Sequence, residues 1–254
     1  MGFDADWLDL REPADLSARD ATLLARAVAH GRGARVLDLG CGTGATARAF
    51  AAVDAKPPEW CLLDNDPVLL EVARARHPHA GTRLADLADL DALPLDGVRM
   101  VTASALFDLV SADWAARLVA RLAARGIALY AALSYDGAMQ WSPGDPRDTE
   151  VTARFNAHQR GDKGLGPALG PEAGARLAGM LRARGYAVSC APSPWRLGPE
   201  QGALQAALVT GIAAAAAETG LDDSADWAAR RRAAIGRGWA EIGHLDLLAL
   251  PEGG

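Results

Sequence analysis

The residues best suited to chemistry lie in one short run, Val36-Leu37-Asp38-Leu39-Gly40-Cys41-Gly42-Thr43-Gly44. An apolar stretch leads into glycines at alternate positions. Glycine permits positive φ and lets a ligand lie against the backbone. A helix starting after the glycines would offer unpaired N–H groups and a partial positive charge to that ligand. Asp38 stands one step before the turn, at the carboxyl end of a strand, where open α/β sheets bind ligands. A second acid, Asp64, closes the apolar run Leu62-Leu63, 20 residues beyond Gly44. A carboxylate there can accept hydrogen bonds from both hydroxyls of a ribose. Asp66 directly precedes Pro67 and reads as a helix cap. This chemistry is that of a nucleoside site.

The elements needed to hold such a site are legible around it. Short apolar runs alternate with longer amphipathic stretches, which predicts an α/β fold with a parallel sheet. Strands are expected at Arg35–Leu39, Glu59–Leu63, Thr82–Ala85, Val98–Ala103, Ile127–Leu133, Tyr186–Ala191 and His244–Leu250. Helices are expected at Ser17–His30, Gly44–Val53, Val68–Arg76, Ala112–Arg125 and Pro171–Arg184, with two more at about Pro199–Glu218 and Ser224–Trp239. No linker divides residues 1–254, so one domain is expected. In residues 134–170 nine of 37 positions are Gly or Pro, and a long irregular stretch inside a compact domain is more often a lid than a passive connection. Residues 199–240 form a second insertion. Together the two are expected to cover an acceptor site.

Asp38-Leu-Gly40-Cys41-Gly42-Thr-Gly44 resembles the first motif of class I S-adenosylmethionine-dependent methyltransferases. Asp64-Asn65-Asp-Pro67 resembles the second motif, which carries the ribose-binding acid. Leu84-Ala-Asp86-Leu87 resembles the third, whose acid faces the adenine amino group; Asp89 and Asp91 compete for that place. Val101 to Leu106, with Ala103 at its centre, falls where the fourth motif lies. The resemblance implies a Rossmann-like, mostly parallel seven-stranded sheet in the order 3-2-1-4-5-7-6, with the seventh strand antiparallel. It implies S-adenosylmethionine as cofactor and a cofactor site built from Asp38, Gly40, Cys41, Gly42, Gly44, Asp64, Asn65, Asp86, Leu87 and Ala103. A nicotinamide dehydrogenase is the rival, since Gly40, Gly42 and Ala45 also fit a dinucleotide turn. Asp38 would oppose a pyrophosphate there, and neither lysine, Lys56 or Lys163, follows a tyrosine at the spacing such enzymes use. Other chemistry on the same donor (cyclisation or elimination) and a non-catalytic nucleoside-binding subunit also stay open.

The acceptor side is less explicit. In the family the residues after strand four face the transferring methyl group, here Ala103 to Asp108. Asp108 could accept a proton from an amine or hydroxyl. Arg154 and His158 stand four apart, on one face if the segment is helical, and are expected to face the acceptor with His158 as a candidate base. Val151–Arg196 holds seven Lys/Arg against two Asp/Glu, which suggests an anionic small molecule. A net charge of −6 argues against a nucleic-acid partner. No apolar run approaches a membrane span, and the start lacks the pattern of a secretory signal, so a cytoplasmic location is expected, as monomer or homodimer. Cys41, Cys61 and Cys190 show no metal or disulfide spacing and are expected to be buried.

Overall fold

The computed structural model describes residues 4–252. Eight strands form one sheet: β1 (Arg35–Leu39), β2 (Glu59–Asp64), β3 (Gly81–Leu84), β4 (Val98–Ser104), β5 (Ala128–Ser142), β6 (Tyr186–Pro192), β7 (Trp195–Leu197) and β8 (Trp239–Pro251). Their order is β3-β2-β1-β4-β5-β8-β6, with β7 also paired to β8. Strands β1 to β5 pair in parallel, and β8 runs antiparallel to β5, β6 and β7. The expected order therefore holds, with one extra strand. The outer edge breaks into β6 and β7 because Pro194 has no N–H to give the ladder. The chain turns back between β1 and β4, and this switch point opens a crevice at the strands' carboxyl ends.

Nine helices surround the sheet among the described residues: α1 (Ala5–Ala18), α2 (Ala21–Gly31), α3 (Ala45–Val53), α4 (Pro67–Arg76), α5 (Ala112–Ala123), α6 (Asp148–Gln159), α7 (Ala173–Arg182), α8 (Gly202–Glu218) and α9 (Ser224–Ala234). Leu37, Leu63, Val101 and Leu129 pack with α5 and α7 on one face of the sheet. Val36, Leu62, Met100 and Tyr130 pack with α2 and α3 on the other. A third cluster, around Trp141, Trp195, Ile212 and Trp227, binds α8 and α9 to the outer ends of β5 and β8.

Three expectations need correction. The helix expected from Ser17 begins at Ala21, where the Asp20 carboxylate accepts from Leu23 N–H at 2.8 Å; Ser17 ends α1 instead. Helix α1 has no apolar stripe and contains Pro13, so periodicity does not reveal it. Charged pairs hold it to the body: Arg76 with Asp9 at 2.7 Å and Arg48 with Glu12 at 2.5 Å. The stretch 134–170 opens as strand, not loop. Strand β5 passes a bulge at Gly137 (φ +93°) and continues against β8 to Ser142. Cys190 lies exposed on β6, while Cys41 and Cys61 are buried.

Candidate active site

The glycine turn links β1 to α3. Gly40, Gly42 and Gly44 all have positive φ. A Cβ on Gly42 would stand 2.9 Å from Leu8 Cδ1, and one on Gly44 would stand 2.6 Å from the His77 ring. Side chains from α1 and from the end of α4 thus close directly onto bare backbone. The Asp64 carboxylate accepts from Gly42 N–H at 2.7 Å and from Asp66 N–H at 3.0 Å, which fixes it over the turn. Asp66 caps α4, accepting from Val68 N–H at 2.8 Å.

A cavity of about 370 Å³ opens here, lined by Gly40, Gly42, Asp64, Asn65, Asp86 and Leu87 and roofed by Leu8 and Arg11 of α1. Asp86 forms a local turn with Ala88 N–H at 2.8 Å. Its competitors are engaged elsewhere: Asp89 caps a short 3-10 turn, and Asp91 pairs with Arg121. Cys41, Gly44 and Ala103 do not line this cavity; they shape it from behind.

Asp38 also lies behind the cavity wall. One of its oxygens accepts from Thr102 Oγ1 at 2.6 Å, and the other is buried without a partner. Burial raises its carboxyl to about 7, against the opposing pull of Thr102, Arg19 and Thr46. Arg19, buried at the α1–α2 junction, donates to Ser104 Oγ at 2.7 Å, and Ser104 meets Thr46 Oγ1 at 3.1 Å. Asp38 therefore anchors a polar layer beneath the site. In this structure Asp38 is buried and does not line the cavity, being covered by β4 and α3.

A second cavity, of about 140 Å³, shares Arg11, Ala105 and Leu109 with the first. Two of its floor residues, Ala105 (φ +49°) and Leu133 (φ +56°), are held in the left-handed region, a strain that fixed surroundings must maintain. Asp108 lines it, with Oδ1 buried and unpartnered. Burial pushes this carboxyl up to about 6, partly offset by nearby backbone N–H groups and Arg11. His244 lines the opposite side. Its Nδ1 lies 2.9 Å from the Ile242 carbonyl, which can only accept, so Nδ1 carries the proton and Nε2 a lone pair. Burial and then Arg11 lower His244 to about 3, keeping it neutral. Tyr135, Phe155 and Trp195 wall the cavity, and Tyr135 OH donates to Asn156 at 2.8 Å.

Arg154 and His158 share one face of α6, as their spacing predicts. That face meets the end of α8 rather than either cavity. Arg154 donates to the Thr219 carbonyl at 2.7 Å, and His158 Nε2 lies 2.9 Å from Glu218. The carbonyl end of a helix attracts cations, which accounts for the orientation. The basic excess of Val151–Arg196 is likewise dispersed: Arg160 and Arg176 pair with Glu172, and Arg196 with Glu241. No sequence motif marks Arg11 or His244 as a site residue. Arg11 sits on the helix that periodicity misses, and His244 lies within an apolar strand with no motif beside it.

Residues 36–126 match the family model described as a methyltransferase domain. No curated protein matches the chain. Among solved structures, the YcgJ protein of Bacillus subtilis is similar over 92% of this chain and 100% of its own, at 16% identity and a TM-score of 0.53. A methyltransferase from Thiobacillus denitrificans, solved with S-adenosyl-L-homocysteine, matches over 98% of this chain and 100% of its own, at 16% identity and a TM-score of 0.49. The solved structures share the fold of this chain, an α/β sheet with the glycine turn at its switch point. The family likeness covers residues 36–126, the part that carries β1 to β4 and the glycine turn. S-adenosylmethionine is the donor that the sequence motifs of this segment imply. The residues present fit that donor: the larger cavity combines bare glycine backbone with the carboxylates of Asp64 and Asp86, suited to hydroxyls and positive charge. Among the described residues no helix is long and apolar enough to cross a membrane, and no metal-binding cluster occurs.

Proposed function

We propose that the protein transfers a methyl group to a small molecule held in the second cavity. The observation that carries this reading is that the two cavities are neighbours, sharing Arg11, Ala105 and Leu109 in their walls. When bound, the donor supplies an already activated methyl group on a sulfonium. The chain's own work is then alignment and exclusion of water, each able to supply much of the acceleration. Asp64, Asn65 and Asp86 hold the nucleoside end. Leu8 and Arg11 cover it. Ala105 and Leu109 stand at the boundary where acceptor and donor would meet. The second cavity, about 140 Å³, has room for one small molecule, which supports a small acceptor.

The test uses donor carrying a labelled methyl group, incubated with a cell extract separated into small-molecule, protein and nucleic-acid fractions. Label is expected in the small-molecule fraction. Label in protein or nucleic acid would overturn the acceptor class. Donor consumed with no labelled acceptor would instead indicate elimination or cyclisation.

A further inference from the structure

Resting on that reading, we propose that the acceptor is a single-ring aromatic hydroxyl compound, and that Asp108 Oδ1 takes its hydroxyl proton during transfer.

Size is the first argument. The second cavity measures about 140 Å³, and an apolar cavity of about 150 Å³ holds one benzene. Its walls suit a ring: Tyr135, Phe155 and Trp195 supply aromatic faces, and Leu208, Ile212 and Ile242 fill between them. Tyr135 and Phe155 already meet edge to face, with centroids 5.5 Å apart.

Polarity is the second. Asp108 Oδ1 and His244 Nε2 can only accept while Asp108 is ionised and His244 neutral. The ligand must therefore donate. Charge is the third. Arg11 stands at the mouth and is paired with Asp15 at 2.9 Å. An ammonium would meet the Arg11 guanidinium, and an anion would meet Asp108, so a neutral donor group fits best. A neutral hydroxyl satisfies this, and it is a poor nucleophile until its proton leaves.

The transfer balances without a further reactant. The hydroxyl oxygen forms a C–O bond to the methyl carbon as the C–S bond breaks and its electron pair stays on sulfur. The hydroxyl proton passes to Asp108. The titratable groups facing Asp108 are Arg11 from α1, which is charged, and Tyr135 and His244 from the two strands, which are neutral. With its carboxyl at about 6, Asp108 is ionised near neutral pH and still basic enough to act.

The experiment begins with S-adenosylhomocysteine binding by calorimetry. Failure to bind would overturn the donor site and this inference with it. With donor binding intact, phenol, benzylamine and benzoate are compared for labelled methyl transfer. Phenol should be methylated, and the other two at least tenfold more slowly; preference for either, or no phenol turnover, overturns the acceptor class. Asp108→Asn should bind S-adenosylhomocysteine normally but lower kcat/KM for phenol about 100-fold. With 2,3,5,6-tetrafluorophenol, already ionised at pH 8, the deficit should shrink to a few-fold. An equal deficit with both phenols would make Asp108 structural and overturn its role as base.

Discussion

The Asp246 carboxylate accepts a hydrogen bond from the backbone N–H of Leu133 at 2.9 Å, across 113 positions of sequence. Leu133 is one of two left-handed residues under the second cavity. The other Asp246 oxygen accepts from Asp20 N–H at 3.0 Å and Tyr130 OH at 3.2 Å. One fully buried acid on β8 thus ties the floor of the second cavity to the α1–α2 junction.

Asp246→Asn should therefore act at a distance. An amide presents N–H groups to a site that already supplies donors, leaving buried groups unsatisfied at a cost of about 2–4 kcal/mol. Denaturant unfolding would measure the loss. Acceptor KM should rise more than donor KM, because Leu133 lines only the acceptor cavity.

Asp64→Ala should weaken donor binding by about 1–3 kcal/mol, since the ribose loses a charged acceptor. It also frees Gly42 N–H, so the turn itself loosens. Calorimetry with S-adenosylhomocysteine measures this, and unchanged affinity would place the ribose elsewhere.

Asp38 should make stability fall as pH rises. Its folded carboxyl titrates at about 7, whereas the unfolded one titrates near its ordinary value of about 4. Between those values the native state keeps a proton that the unfolded state has lost, so stability declines across that window. Above it the penalty is constant, on the order of 4 kcal/mol. Asp38→Asn should remove this slope and gain stability at pH 8 relative to pH 5. Parallel unfolding curves for both proteins at the two pH values would contradict it.

Replacing Arg154 and His158 together by Ala should leave turnover within about twofold and cost about 1–2 kcal/mol in stability, through lost contacts with Thr219 and Glu218. A tenfold fall in turnover at unchanged donor affinity would show that this face of α6 serves the acceptor after all.

The donor half of the site is legible because its parts are local in sequence. Asp38, Gly40, Gly42 and Gly44 sit in one strand–turn–helix unit, and Asp64 ends the next strand. A short-range pattern suffices to read such a unit. The acceptor half has no such pattern. Arg11, Asp108, Tyr135, Trp195 and His244 come from five separate segments, and only the sheet order brings them together. The bulge at Gly137 hides the continuation of β5, since it interrupts the alternation that marks a strand. Helix α1 escapes because ion pairs rather than an apolar face hold it.

That mode of attachment governs how long a donor stays. Leu8 and Arg11 form part of the wall of the larger cavity, so loosening α1 should ease the exit of a product held there. Two of the clasps that hold it, Asp9–Arg76 and Glu12–Arg48, are partly exposed to water, and mobile ions screen exposed pairs within about 8 Å at physiological salt. Residence time under the helix should accordingly shorten as ionic strength rises, making product release a salt-tuned clock for each catalytic cycle.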